Sequence, residues 1–92
     1  MEKLCSLKTV KRALREKYAW PGGYPLYLIC ADGETLSIDG ARECWRQICA
    51  AHISKDYADK QWGIIAVDIN YDDPYLYCIH TSKPIEVAYA DY

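Results

Sequence analysis

Ninety-two residues, 51% apolar and 26% charged, suffice for one domain with a modest core and argue against a disordered chain. A net charge of -2 excludes recruitment of nucleic acid by bulk electrostatics, and no apolar run reaches membrane-spanning length. The five cysteines (Cys5, Cys30, Cys44, Cys49, Cys78) have no CxxC spacing, and the N-terminus lacks a secretory layout, so buried free thiols in a reducing cytoplasm are expected.

Ser6 is placed to cap a first helix, along which Leu7, Val10, Leu14 and Tyr18 follow a helical period. Trp20-Pro21-Gly22-Gly23 is expected to end it, because a residue before proline is pushed out of the helical region. Tyr24 to Ala31 reads as a strand with Leu26, Leu28 and Cys30 on one face and Tyr27 and Ile29 on the other. Asp32-Gly33 predicts a two-residue hairpin turn of the primed type, returning through Glu34 to Ser37. Asp39 predicts the cap of a second helix from Gly40 to Ser54, with Ala41, Cys44, Trp45, Ile48 and His52 in its apolar stripe. Lys55 to Gln61 reads as a polar loop and Trp62 to Ile69 as the most apolar strand. Asn70 to Pro74 makes a turn, Tyr75 to Ile79 returns as a strand, and Ile85 to Tyr89 packs down. The order α-β-β-α-β-β predicts an α+β domain over residues 1–92, an antiparallel sheet of about four strands with two helices on one face.

Cys78-Ile79-His80-Thr81 looks like half of a metal clamp. A tetrahedral zinc site needs four donors, usually two close pairs. The second pair would fall in Leu36-Ser37-Ile38-Asp39-Gly40, where Ser37 and Gly40 offer a hydroxyl and no side chain, and Thr81 stands where a cysteine would complete the first pair. No metal or other cofactor is therefore expected, and Cys78 and His80, at alternate strand positions, are expected to share a face as a packed thiol and a hydrogen-bonded imidazole. Asp68-Ile69-Asn70-Tyr71-Asp72 imitates a calcium loop but fails at Asp73 and Ile79, where glycine and a bidentate glutamate are needed. Cys49 and His52 are three apart on the second helix, the spacing of a thiol and a base. His52 nevertheless lies in the apolar stripe, which favours a structural histidine, and the expectation is a chain that is not an enzyme.

The charges are unevenly spread. Residues 1–17 carry a net +4 and residues 68–92 a net -4. Lys8, Lys11, Arg12 and Arg15 fall on one arc of the first helix, a spacing suited to backbone phosphates, and Arg42 and Arg46 on the second helix would extend that field if the helices lie side by side. Tyr71, Asp72, Asp73 and Tyr75 form the opposite pole, acid flanked by aromatics on an exposed turn, suited to an arginine-rich protein groove. These ten side chains are the candidate partner-binding residues.

From Trp20 onward, about four fifths of the chain resembles a group of small phage and prophage proteins. The shared pieces are the Trp20-Pro21-Gly22-Gly23-Tyr24-Pro25 entry, a turn ahead of the Ala41-Arg42 helix start, and the Trp62-Gly63 strand. They continue through the run Val67-Asp68-Ile69-Asn70-Tyr71-Asp72-Asp73-Pro74-Tyr75-Leu76-Tyr77-Cys78 and a tail like Ile85-Glu86-Val87-Ala88-Tyr89. In that group two cysteine or cysteine/histidine pairs look like zinc ligands, and this chain departs at Ser37, Gly40 and Thr81. Taken whole, the sequence is similar to the phage anti-CRISPR family 8 inhibitors of the type I-F surveillance complex. The resemblance implies a non-enzymatic inhibitor in the cytoplasm of an infected bacterial host. It would dock on backbone and tail subunits of the guide-RNA complex, touch the guide RNA, and stop target DNA from pairing, with no membrane or small-molecule partner. The alternative is a phage accessory protein that binds nucleic acid on its own, descended from a zinc-ribbon-like module.

Overall fold

The computed structural model describes residues 4–19, 23–54 and 62–88. Helix α1 spans Leu7–Glu16 and opens on Ser6, whose hydroxyl accepts the Thr9 amide at 3.2 Å, satisfying one of the donors a helix start leaves free. Val10, Ala13 and Leu14 form its buried stripe. The helix ends earlier than the proline predicts. Lys17 turns to φ 64° and donates its amide to Ala13 O at 2.8 Å, and its own carbonyl then accepts Leu26 N at 3.0 Å. That reversal takes Tyr18 out of the helical stripe and into a two-residue strand, β1 (Tyr18–Ala19). Trp20-Pro21-Gly22 lie outside the described residues, as does the loop expected from Lys55 to Gln61.

Strand β2 (Tyr24–Cys30) is central and pairs antiparallel with β1, with β3 (Thr35–Ser37) and with β4 (Ile64–Ile69). The turn between β2 and β3 has three residues, Ala31 to Gly33, and not two. Cys30 exchanges Cys30 N to Glu34 O at 2.8 Å and Gly33 N to Cys30 O at 2.9 Å, and within this turn only Gly33 takes a positive φ, 90°. That is the geometry of a tight turn followed by one left-handed residue, a position that favours glycine. Asp32 supports it by accepting the Glu34 amide at 3.0 Å.

The second helix is two. Helix α2 runs Ile38–Glu43 and α3 runs Trp45–Ser54. Ser37, and not Asp39, is the cap, its Oγ accepting Gly40 N at 3.0 Å. At Cys44 the backbone leaves helical values and its amide is shared between Gly40 O and Ala41 O at 3.2 Å each. Of the expected stripe, Ala41, Cys44 and Ile48 are buried and Trp45 and His52 half-buried, while Ala51 joins the buried face. Between Ile29/Ala66 and Cys30/Ile64 the β2–β4 register shifts, a bulge that brings Ile64 fully into the core.

The expected return strand from Tyr75 to Ile79 does not form. Only a single bridge joins Tyr77 and Pro84. The segment follows the outer edge of β3 instead, with Ile79 N donating to Thr35 O at 2.9 Å and the Thr35 hydroxyl to Tyr77 O at 2.8 Å. Part of β4's own free edge is already taken, since Ile64 O accepts Cys5 N at 2.7 Å and Ile64 N donates to the His52 ring. The fold is α+β: among the described residues, three helices and a four-stranded antiparallel sheet in the order α-β-β-β-α-α-β. Its core brings Leu28, Cys30 and Leu36 from the sheet against Val10, Leu14, Ala41 and Ile48 from the helices, with Cys78 and Ile85 from the final segment. Among the described residues, no helix is long and apolar enough to cross a membrane.

Candidate functional site

The four positions of the would-be metal clamp do converge. A β-carbon at Gly40 would lie 2.6 Å from Cys78 Sγ, 3.2 Å from Ser37 Oγ and 3.4 Å from Thr81 Cγ2. Two chain turns supply them, Ser37 to Gly40 at the start of α2 and Cys78 to Lys83. The second turn is closed by Ser82 N to Cys78 O at 2.8 Å and Cys78 N to Lys83 O at 2.9 Å, with Ser82 at φ 59°. Burial raises the Cys78 thiol pKa. Hydrogen bonds from the hydroxyls and amides of Ser37 and Thr81 outweigh burial and bring it below its ordinary value. One thiol, two hydroxyls and a glycine do not fit zinc, which requires four soft or borderline donors. The sulfur is the centre of a hydrogen-bond cluster that ties the last segment to the second helix.

His80 does not share a site with Cys78. Because the segment turns instead of running as a strand, alternation fails: Cys78 is fully buried and His80 is exposed, 3.9 Å from a Glu43 carboxylate oxygen and edge-on to Trp62. His52 is held by the frame. Its Nε2 accepts the Ile64 amide at 2.9 Å, so that lone pair is not directed at Cys49. Burial lowers the His52 pKa, and a backbone hydrogen bond with Cys5 acts in the other direction.

Of the six basic candidates, Lys11, Arg15 and Arg42 line one cleft. Lys8, Lys11, Arg12 and Arg15 are exposed on α1, and Arg42 and Arg46 are exposed on α2 and α3. Arg42 makes the join: its Nε donates to Leu14 O at 2.8 Å and its Nη2 to the same oxygen. A carbonyl in the last turn of a helix has no partner within the helix, so the guanidinium satisfies an orphan and docks α2 against α1. Two of the six cations are partly neutralised. Arg12 meets Glu16 at 3.4 Å, and Arg42 Nη1 lies 3.8 Å from Asp39, which also receives Lys17 at 3.4 Å. Lys11, Leu14, Arg15, Arg42 and Trp45 line a shallow cleft of about 480 Å³, with no acidic side chain among the described residues of its wall. Trp45, expected only as a stripe residue, is half-buried and lines it.

The acidic candidates also stand together. Tyr71, Asp72, Asp73 and Tyr75 are all exposed, Tyr75 to 88%. Their scaffold is Asn70, which is 3% exposed. Its side chain donates to Asp73 O at 3.0 Å and Glu86 O at 3.1 Å and accepts Asp73 N at 3.2 Å. Its backbone bridges Pro25 O at 3.1 Å and Ala88 N at 3.0 Å. Asp73 in turn accepts the Tyr75 amide at 3.0 Å, and Tyr71 packs on Tyr24 with ring centroids 5.3 Å apart. Burial, then the Asp68 and Asp73 carboxylates, raise the Tyr27 phenol pKa, which marks a negative field at this end of the sheet. The turn residues were legible; the role of Asn70 could have been read only from the Asn-x-x-Asp spacing of a side-chain-closed turn.

No family model, no curated protein and no solved structure matches the chain.

Proposed function

We propose that the chain is a non-enzymatic anti-CRISPR inhibitor that binds the type I-F guide-RNA surveillance complex and blocks target DNA hybridisation in the host cytoplasm. The observation that supports this most is the cationic cleft built from two separate helices, fixed by Arg42 on Leu14 O and lined, among the described residues, by no acid. Such a face meets guide-RNA phosphate, while the Tyr71 to Tyr75 turn offers carboxylates and rings to basic protein surface. An interface able to compete with DNA buries on the order of 1,600 Å². The test mixes the protein with the assembled complex, bare RNA and bare DNA and asks which it co-migrates with. Co-migration with the complex supports the reading. Retention on free nucleic acid alone, with a steep salt slope, favours a nucleic-acid-binding accessory protein instead.

A further inference from the structure

Two clefts flank α2. The larger, about 580 Å³, is lined by both signs, Lys17, Arg42 and Lys83 against Asp39, Glu43 and Glu86, and so largely neutralises itself. The smaller one, between α1 and the α2–α3 bend, is lined among the described residues by three cations and two apolar side chains and by no acid. Among the described residues, Lys11 and Arg15 have no hydrogen-bond or ion-pair partner, and both are exposed. They stand four residues apart on α1, about 6 Å along the axis. Trp45, half-buried and packed on the core, lines the same cleft with its remaining surface.

We infer that this cleft receives one nucleotide of a single-stranded nucleic acid, its base lying on Trp45 and Leu14 and its flanking phosphates held by Lys11 and Arg15. The inference rests on the reading of the basic face as phosphate-seeking, and adds a base-binding floor to it. A flat apolar floor bordered by unpaired cations is the pairing that single-strand binders use, because every base has a stackable face whatever its sequence. A duplex cannot use it, since its bases are already stacked. A carboxylate-rich peptide would satisfy the cations but leave the indole without a matching surface. Arg42 is a positioning residue here. With its Nε and Nη2 on Leu14 O, it sets the distance between the two helices more than it binds ligand.

The test compares two probes on the wild-type chain: an oligoadenylate RNA of about eight nucleotides and an abasic ribose-phosphate strand of equal length. Stacking predicts roughly 5- to 150-fold tighter binding of the base-bearing strand. Trp45→Leu should erase that difference, and Trp45→Tyr should restore most of it. Lys11→Gln with Arg15→Gln should weaken both probes and flatten the salt slope by roughly 0.7 per cation removed. Equal affinity of the wild-type chain for the two probes, binding of neither, or equal competition by an oligoglutamate peptide overturns the inference. Because the main comparison uses the unaltered protein, poor folding of a Trp45 variant does not shield it. Failure here differs from failure of the inhibitor reading. Reversal of Lys11, Arg12 and Arg15 that abolishes complex binding while bases make no difference removes the pocket alone, whereas base-dependent binding without any complex formation removes the inhibitor alone.

Discussion

Gly40 and Cys78 pack so closely that a side chain at position 40 would force a shift: a β-carbon there would stand 2.6 Å from the Cys78 sulfur. The sulfur cannot easily retreat, because Ser37 and Thr81 hydrogen-bond to it and it is fully buried.

In most helices Gly→Ala stabilises by roughly 1 kcal/mol. Gly40→Ala should do the opposite and destabilise by about 1–3 kcal/mol, the usual cost of overpacking. Urea denaturation measures it. Combining Gly40→Ala with Cys78→Ala should recover part of the loss, and strict additivity of the two would show that the sulfur contact is not the cause.

Asn70→Ala removes both donors and the acceptor that close the acidic turn. Buried backbone groups left unpaired cost about 1–3 kcal/mol, so stability should fall by that order. If the acidic pole binds protein, affinity for the guide-RNA complex should fall as well, without a change in salt slope toward RNA. Wild-type stability of the variant would mean that the turn holds without its asparagine.

Arg42 and Arg46 should separate structure from binding. Arg42→Ala leaves the Leu14 carbonyl without its guanidinium, and a loss of roughly 1–3 kcal/mol is expected. Arg46→Ala touches an exposed side chain and should leave stability within about 0.5 kcal/mol. Reversal of Lys11, Arg12 and Arg15 to glutamate should likewise spare the fold while weakening the complex. An unchanged affinity for the complex after that reversal rejects the basic arc as a contact surface.

His52 gives a pH dependence with a definite sign. Its neutral ring accepts the Ile64 amide, and burial lowers its folded pKa below the ordinary 6.5. The unfolded chain therefore takes up a proton first as pH falls. The contribution is fully present above about pH 6.5 and is lost as pH drops through the folded value. Unfolding free energies of wild type and His52→Gln, followed from pH 7.5 to 5, should converge on the acid side. Parallel curves would contradict this.

The thiols should divide by access and not by acidity. Cys30 is fully buried and its pKa is pushed up to about 12, while Cys78 is equally buried with a lowered pKa. Alkylation at pH 8 followed by mass spectrometry should reach the half-buried Cys5 and Cys49 first and spare Cys30, Cys44 and Cys78 until the chain unfolds. Early modification of Cys78 would mean that the clamp region opens in the native state.

The elements governed by periodicity were legible. Alternation in β2 identified Leu28 and Cys30 as core, and helical spacing identified Val10, Leu14, Ala41, Cys44 and Ile48. The cationic face was legible too, since spacing alone groups Lys8, Lys11, Arg12 and Arg15. What local pattern could not reveal were effects set by distant partners. Lys17 ends α1 because its carbonyl is claimed by β2, nine residues on. The helix breaks at Cys44 with neither glycine nor proline to announce it. Alternation in Tyr75 to Ile79 promised a strand, but both backbone groups of Cys78 are taken by the turn that follows, its carbonyl by Ser82 N and its amide by Lys83 O. Trp45 looked like a core residue because an apolar stripe does not say where its neighbours stop.

The turn at Ala31 to Gly33 has a practical use. Asp32, Gly33 and Glu34 are all exposed, and a β-carbon on Gly33 would meet nothing within 4 Å. A fluorophore coupled at a cysteine introduced in place of Glu34 would therefore sit on an outcrop remote in sequence from every candidate contact residue, and could report docking without taking part in it. Gly33 itself should stay glycine, because its φ of 90° is one that side chains resist.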